Sequence, residues 1–359
     1  AWVRDMLSGR RRGPAAILLG VGLQLACIPY AGATWLRRRL YRWRLLPAGT
    51  APIPVICVGN ITTGGTGKTP MVAWVVARLR EMGRKPAILT RGYKAVAGRS
   101  DEAELLGKLT GAPVIVNPDR AAGAAEAAER GADVAVMDDG FQHLRLRREL
   151  DIVLIDATEP FGYGHCLPRG LLREPRSALY DAEAVVITRS EQLDKEALGK
   201  LKTRLSRLAP AATVHTAVHR PVRIVDELGG EHPPYVIEDR RIFAFCGLGN
   251  PGAFFDTVSR LGAEVTGRKA FGDHAQYPPQ RLSRLYAEAR EAGAELLVTT
   301  AKDAVKLPRG PYEVPIWQVG VEMSLVQGER ALGEALGRAA CERVGTPAGP
   351  RVSNPEGGS

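Results

Sequence analysis

The chain has 359 residues, 45% of them hydrophobic and 25% charged, which excludes a wholly disordered or fibrous protein and allows a large core divided over two lobes. The net charge of +10 is concentrated at one end: residues 1–50 hold nine arginines (4, 10, 11, 12, 37, 38, 39, 42, 44) against the single acid Asp5, 9 − 1 = +8, leaving 10 − 8 = +2 for the remainder. A nucleic-acid binder carries its basic residues around the working cleft; here they flank an apolar segment, so no nucleic-acid partner is expected.

That segment, residues 14–36, has Gln24 and Thr34 as its only clearly polar side chains. At about 23 residues it is long enough for one membrane span. Pro29 and several glycines weaken a straight spanning helix, and the arginines on both sides give no inside/outside asymmetry. No small-residue cleavage site follows a short apolar core, which argues against a signal peptide. The pattern favours an interfacial helix on the cytoplasmic leaflet, over a span or a buried core helix, with Arg10–Arg12 and Arg37–Arg39 on lipid head groups. Each such arginine contributes roughly 1 kcal/mol at an anionic surface.

Residues 47–54 read as a linker. Apolar, β-rich runs follow at 54–60, 86–90, 133–138, 151–156 and 184–189, with helical patterns at 71–82, 120–130 and 191–208. This alternation predicts an α/β fold with a mostly parallel sheet and helices on both faces. The Pro- and Gly-rich stretch 209–234 suggests a boundary near residue 220. Beyond it a smaller α/β lobe is expected, with strands near 241–246, 295–300 and 315–319 and helices near 252–262 and 279–292. The expected division is therefore a membrane-associated arm (1–46), a nucleotide-binding core (47–220), a smaller lobe (221–344) and a disordered tail (345–359). The five cysteines (27, 57, 166, 246, 341) form no Cys-x-x-Cys pair and read as reduced thiols without a metal cluster.

The run from Val55 to Pro70, VICVGNITTGGTGKTP, is a buried-type strand breaking into a glycine-rich loop that ends in Gly67-Lys68-Thr69. Such a loop turns backbone N–H groups around phosphate oxygens, with Lys68 on the β/γ-phosphates and the Thr69 hydroxyl on Mg²⁺. The cradle is expected over Thr62, Thr63, Gly64, Gly65, Thr66, Gly67, Lys68 and Thr69. The strict motif has glycine where this chain has Thr62, so Gly-Gly-x-Gly-Lys-Thr carries the reading. The helix starting near Lys68 adds its positive end.

Val134-Ala135-Val136-Met137-Asp138-Asp139 is an apolar strand ending in two acids, the position from which a carboxylate holds Mg²⁺ in phosphate-loop enzymes; a solvated turn is the alternative. Ser100-Asp101-Glu102 places Asp101 either as a helix N-cap or as a base for an attacking hydroxyl. His274 and the loop Leu167–Glu174 are equally open on bare sequence.

Together these motifs resemble the tetraacyldisaccharide 4′-kinase family, through Gly59-Asn60 to Thr69-Pro70, Arg91-Gly92-Tyr93, Asp138 to His143, Leu167 to Glu174, Gly247 to Pro251 and Thr299 to Lys306. The resemblance implies a RecA-like P-loop core joined to a smaller lobe, with MgATP between them. It implies transfer of the γ-phosphoryl to the 4′-hydroxyl of an acylated glucosamine disaccharide 1-phosphate, a lipid A precursor, at the inner membrane; a monomer on the cytoplasmic face is the expectation. Lys68 would hold phosphates, Thr69, Asp138 and Asp139 would hold Mg²⁺ with Glu174 joining the shell, and Asp101 would be the base, tuned by His274. The family usually has Gly-Asp-Glu-Pro at Ser100–Ala103, often a second histidine at Ala275 and a glutamate at Ala301. The competing reading is a membrane-bound switch ATPase of the Gly-Gly-x-Gly-Lys-Thr type, which commonly has a lysine where this chain has Thr63.

Overall fold

The computed structural model describes residues 13–92, 101–272, 275–308 and 311–341. A long helix α1 (Pro14–Arg42) precedes the first lobe, with Pro14 in its first turn and Pro29 inside it. The first lobe is built from β1 (Val55–Asn60), α2 (Lys68–Glu81), β2 (Pro86–Thr90), α3 (Asp101–Thr110), β3 (Val114–Val116), α4 (Arg120–Glu129), β4 (Val134–Asp138), β5 (Leu150–Asp156), β6 (Ala184–Thr188) and α5 (Lys195–Leu208). Strands β1, β2, β4, β5 and β6 are buried at every position, as expected when helices cover both faces of a parallel sheet. On α2, Met71, Val72, Val75, Val76 and Leu79 form the buried stripe. Local chemistry sets the helix starts: Asp119 accepts from the N–H groups of Ala121 and Ala122, and Asp194 from that of Ala197.

The second lobe holds β9 (Arg241–Cys246), α6 (Pro251–Arg260), β10 (Glu264–Ala270), α7 (Pro279–Glu291), β11 (Leu296–Thr300) and the short α8 (Ala301–Ala304). With β7 (Thr213–Val225) and β12 (Ile316–Gln327) between them, the lobes share one sheet, in the order β10-β9-β11-β12-β7-β6-β5-β1-β4-β2-β3. They are joined by β7 and β12, an antiparallel ribbon inside an otherwise parallel sheet; the short β8 (Glu231–His232) pairs antiparallel with β7. The start of β7 pairs with β6 and its remainder with β12, whose own start pairs with β11. Pro221 is accommodated in β7 opposite a register shift between Gly320 and Val321.

Residue 220, where the sequence suggests a boundary, thus lies within a continuous strand. The last helix, α9 (Glu329–Cys341), is expected in the smaller lobe but returns to the first. Its Leu332, Leu336, Ala339 and Ala340 join the core around Ile56, Val58 and Val75, and Glu329 pairs with Arg78 of α2. The tail beyond residue 344 lies outside the described residues. Cys27, Cys57, Cys166 and Cys246 are buried free thiols, and Cys341 is exposed.

Helix α1 is long and apolar enough to cross a membrane, and only 11% of its most apolar window is buried against the protein. Ile17, Leu18, Val21, Leu25 and Ile28 stand exposed. An unpaired apolar surface of this kind suits lipid.

Candidate active site

The site lies at the carboxyl ends of the parallel strands, where ligands of such sheets bind. Gly67 caps α2 with φ +89° and no side-chain cap is present. Its carbonyl receives the first helical bond from Met71 N at 3.2 Å, so the N–H groups of Lys68 and Thr69 have no intrahelical partner. That is the anion-seeking arrangement of a helix N-terminus.

Not every amide between residues 62 and 69 is free for phosphate. Thr63 N donates to Leu171 O at 2.7 Å, and Thr66 N to Gly64 O at 3.1 Å. Thr62 is buried and bridges to Leu172. Thr66 is buried too: its hydroxyl accepts from Asn60 Nδ2 at 2.9 Å and its carbonyl from the Thr188 hydroxyl at 2.9 Å. Thr62, Thr63 and Thr66 therefore brace the loop through these contacts. Gly64, Gly65, Gly67, Lys68 and Thr69 line the cavity together with Thr63 and Thr66.

Asp138 ends β4 beside β1, in register with Val58, and Asp139 follows it in the turn. The segment after β4 lies close over β1 because Gly59 has no side chain; a β-carbon there would meet Phe141 Cβ at 2.6 Å. Asp139 adopts φ +51°, a strained choice for a non-glycine residue. That turn brings it to Arg173, whose Nη1 donates to both carboxylate oxygens at 2.9 Å, and to Lys68 Nζ at 3.7 Å. Burial alone would raise the Asp139 carboxyl, but Lys68 and Arg173 more than offset it and hold it below the usual range. Asp138 differs. It is 6% exposed, its Oδ1 is buried without a hydrogen-bond partner, and burial together with the Asp139 charge pushes its carboxyl up to about 7.

An orphaned buried carboxylate lining the same cavity as a phosphate-loop threonine is what a divalent cation would satisfy. The donor set of Thr69 and Asp138, all oxygen, fits Mg²⁺. Among the described residues no cluster of three or more His, Cys, Asp or Glu side chains offers a self-contained metal site, so phosphate oxygens or water must complete the shell.

Glu174, expected in that shell, has both oxygens on Arg38: Oε1 accepts from Nε at 3.2 Å and Oε2 from Nη2 at 2.6 Å. Arg38 itself is buried, which corrects the expectation that Arg37–Arg39 all face lipid head groups. Asp101 is exposed at the first position of α3, and it is its neighbour Glu102 that lines the cavity. His274 lies outside the described residues.

The second lobe closes the site from above. Gly249 sits so near the loop that a β-carbon on it would be 3.3 Å from Gly65 N, and Asn250 Nδ2 donates to the Thr158 hydroxyl at 3.0 Å. The buried carboxylate of Asp303 holds this second-lobe loop, accepting from Gly247 N at 2.9 Å, Tyr277 OH at 2.9 Å and the Thr300 hydroxyl at 2.7 Å. Sequence reasoning did not single out Arg38, Arg189 or His219. Arg189 Nη2 donates to Gly65 O at 2.8 Å while its Nη1 pairs with Asp156. The resulting cavity, of about 1220 Å³, runs from the phosphate loop to Tyr30, Thr34 and Arg37 of α1.

The model of the tetraacyldisaccharide-1-P 4′-kinase family matches residues 21–340. A tetraacyldisaccharide 4′-kinase from Anaeromyxobacter sp. (strain Fw109-5) is 40% identical over 353 residues, covering 91% of this chain and 94% of the relative. The chain belongs to the tetraacyldisaccharide 4′-kinase family. The corresponding kinase of Halothermothrix orenii is 34% identical over 327 residues, covering 81% and 85%. Among solved structures, LpxK from Aquifex aeolicus, crystallised in complex with ATP, superposes with a TM-score of 0.70 at 26% identity, covering 89% of this chain and 99% of that one. The family match extends from within α1 through the P-loop core and the second lobe, and the mostly parallel α/β fold class read from the sequence is the one observed.

Proposed function

We propose that this kinase transfers the γ-phosphoryl of ATP to the 4′-hydroxyl of an acylated glucosamine disaccharide 1-phosphate, as a monomer seated on the cytoplasmic face of the inner membrane. The single observation that carries the reading is that one cavity joins the phosphate loop to the membrane helix: Gly64 to Pro70 line one end and Tyr30, Thr34 and Arg37 the other. An acceptor whose reactive hydroxyl lies at a head-group plane would enter along α1 and meet nucleotide at the far end.

Phosphoryl transfer is mainly positioning and charge stabilisation. The unpaired amides of Lys68 and Thr69, with the α2 dipole behind them, would orient the phosphates. Lys68 Nζ, which pairs with Asp139, would take up charge developing on the transferred group. The Thr69 hydroxyl and Asp138 would hold Mg²⁺, which when bound neutralises phosphate charge; Asp139 keeps Lys68 and Arg173 in place. Asp101, at the N-terminus of α3, would receive the proton of the attacking hydroxyl, with His274 orienting it.

Transfer of label from γ-labelled ATP to the lipid tests the reading. Labelled disaccharide is the expected product. Equal ADP release with and without lipid, and no labelled lipid, would leave the switch ATPase. That alternative is not favoured, because curated relatives over most of the chain are 4′-kinases.

A further inference from the structure

Arg38 belongs to the basic run of α1, yet it points into the protein. Besides its fork on Glu174, its Nη1 donates to Asp181 Oδ2 at 3.1 Å and its Nη2 to Phe141 O at 3.0 Å, and the guanidinium lies 4.3 Å from the Phe141 ring centroid. The other polar contacts of α1 land on the same two segments. Tyr30 OH donates to Arg173 O at 2.9 Å, Arg37 Nη2 to Gln142 O at 3.1 Å, and Arg42 pairs with Asp181 at 2.6 Å. From Glu174 the bonds continue inward. Gln142 Nε2 donates to Glu174 Oε2 at 3.3 Å and to Asn60 O at 2.8 Å; Arg173 Nη1 donates to Gln142 Oε1 at 3.3 Å and to Asp139, which faces Lys68.

We propose that Arg38 is a positioning residue for phosphoryl transfer: by holding Glu174 and the Phe141 carbonyl it sets Gln142, Arg173 and Asp139 around Lys68, so that α1 is part of the catalytic site as well as the membrane arm. The inference rests on the kinase reading above. A planar fork is required, because only a guanidinium satisfies two carboxylate oxygens and a carbonyl in fixed directions. A simple anchor would need none of this; it would keep its cations at the lipid surface.

The test uses the full chain with acylated disaccharide 1-phosphate in mixed micelles. Arg38→Lys keeps the charge but loses the fork. It is expected to lower kcat by on the order of tenfold to a hundredfold, the range for a small misplacement of catalytic groups. The KM for lipid should stay within about twofold, with liposome flotation and melting temperature near wild type. In a Glu174→Gln background the same substitution should add less than about threefold, since its partner is already neutral. A kcat within about twofold of wild type overturns the proposal, as does a loss confined to flotation or to the KM for lipid, or full additivity with Glu174→Gln. If Arg38→Lys does not fold, Arg38→Met with Glu174→Leu removes both buried charges. Its kcat should remain depressed because Gln142 has lost one of its two acceptors and Arg38 no longer holds the Phe141 carbonyl, and wild-type turnover in that pair would equally overturn the proposal. Failure of the wild-type chain to label lipid at all would instead sink the kinase reading.

Discussion

His219 Nε2 sits 2.7 Å from the point where a β-carbon on Gly67 would stand, and Met323 Cε is 3.2 Å from the same point. These two side chains are cross-strand partners in the ribbon that joins the lobes. The ribbon is therefore wedged directly against the glycine that opens α2. Burial and then the nearby Arg189 charge lower the His219 imidazole to about 3, so it presses on the loop as a neutral ring.

Gly67→Ala should consequently damage the site twice, by strain at φ +89° and by collision with His219. The backbone part is about 1 kcal/mol. Isothermal titration with nucleotide should show binding weakened at least tenfold. Adding His219→Ala should recover the steric part only. Unchanged affinity in Gly67→Ala would mean the phosphates lie elsewhere.

Lys68→Ala leaves α2 and its buried stripe untouched, so circular dichroism and melting should stay near wild type. Turnover should fall roughly a hundredfold to a thousandfold, as when a preorganised group facing transition-state charge is removed. Near-normal turnover would reassign the loop.

Asp101→Asn and Glu102→Gln separate two adjacent acids, of which Glu102 lines the cavity. The base reading expects Asp101→Asn to lower kcat far more than it raises the KM for ATP, with a lesser effect for Glu102→Gln. The reverse order would make Asp101 a helix-terminal residue and Glu102 the proton acceptor.

Asp138→Asn should stabilise the nucleotide-free protein while disabling it. The folded chain keeps the Asp138 proton up to about pH 7, whereas the unfolded chain loses it near pH 4. Between those values wild-type stability falls as pH rises, and above pH 7 the whole penalty stands. Scanning calorimetry at pH 8 should therefore give the Asn variant the higher melting temperature, by a few degrees, with the gap closing towards pH 4. A lower melting temperature at pH 8 would show that the carboxylate has a partner.

Replacing Arg37 and Arg39 with Gln, and leaving Arg38 alone, should weaken liposome flotation at low salt. At about 1 kcal/mol per arginine the partition coefficient should drop roughly 25-fold, and much less in high salt. Unchanged partitioning would favour a spanning helix over an interfacial one.

Features that arise within a few residues of one another are legible in the amino-acid string alone. The run Val55–Asn60 into Gly67-Lys68-Thr69 dictates strand, loop and helix through apolar period and glycine freedom. The run ending in Asp138 and Asp139 dictates a buried strand with acids at its tip. What each of those side chains meets is set by the packing of segments far apart in the chain. Arg37, Arg38 and Arg39 are indistinguishable as a string, but the pitch of α1 turns the middle one towards Glu174 across 136 residues. The ribbon of β7 and β12 was illegible because Pro221 and the flanking prolines and glycines mimic a linker, and its pairing joins strands about a hundred positions apart. The His219 wedge and the return of α9 to the first lobe have the same origin: local pattern fixes which residues are helix or strand, but partners across the core are chosen by packing, which no local period encodes.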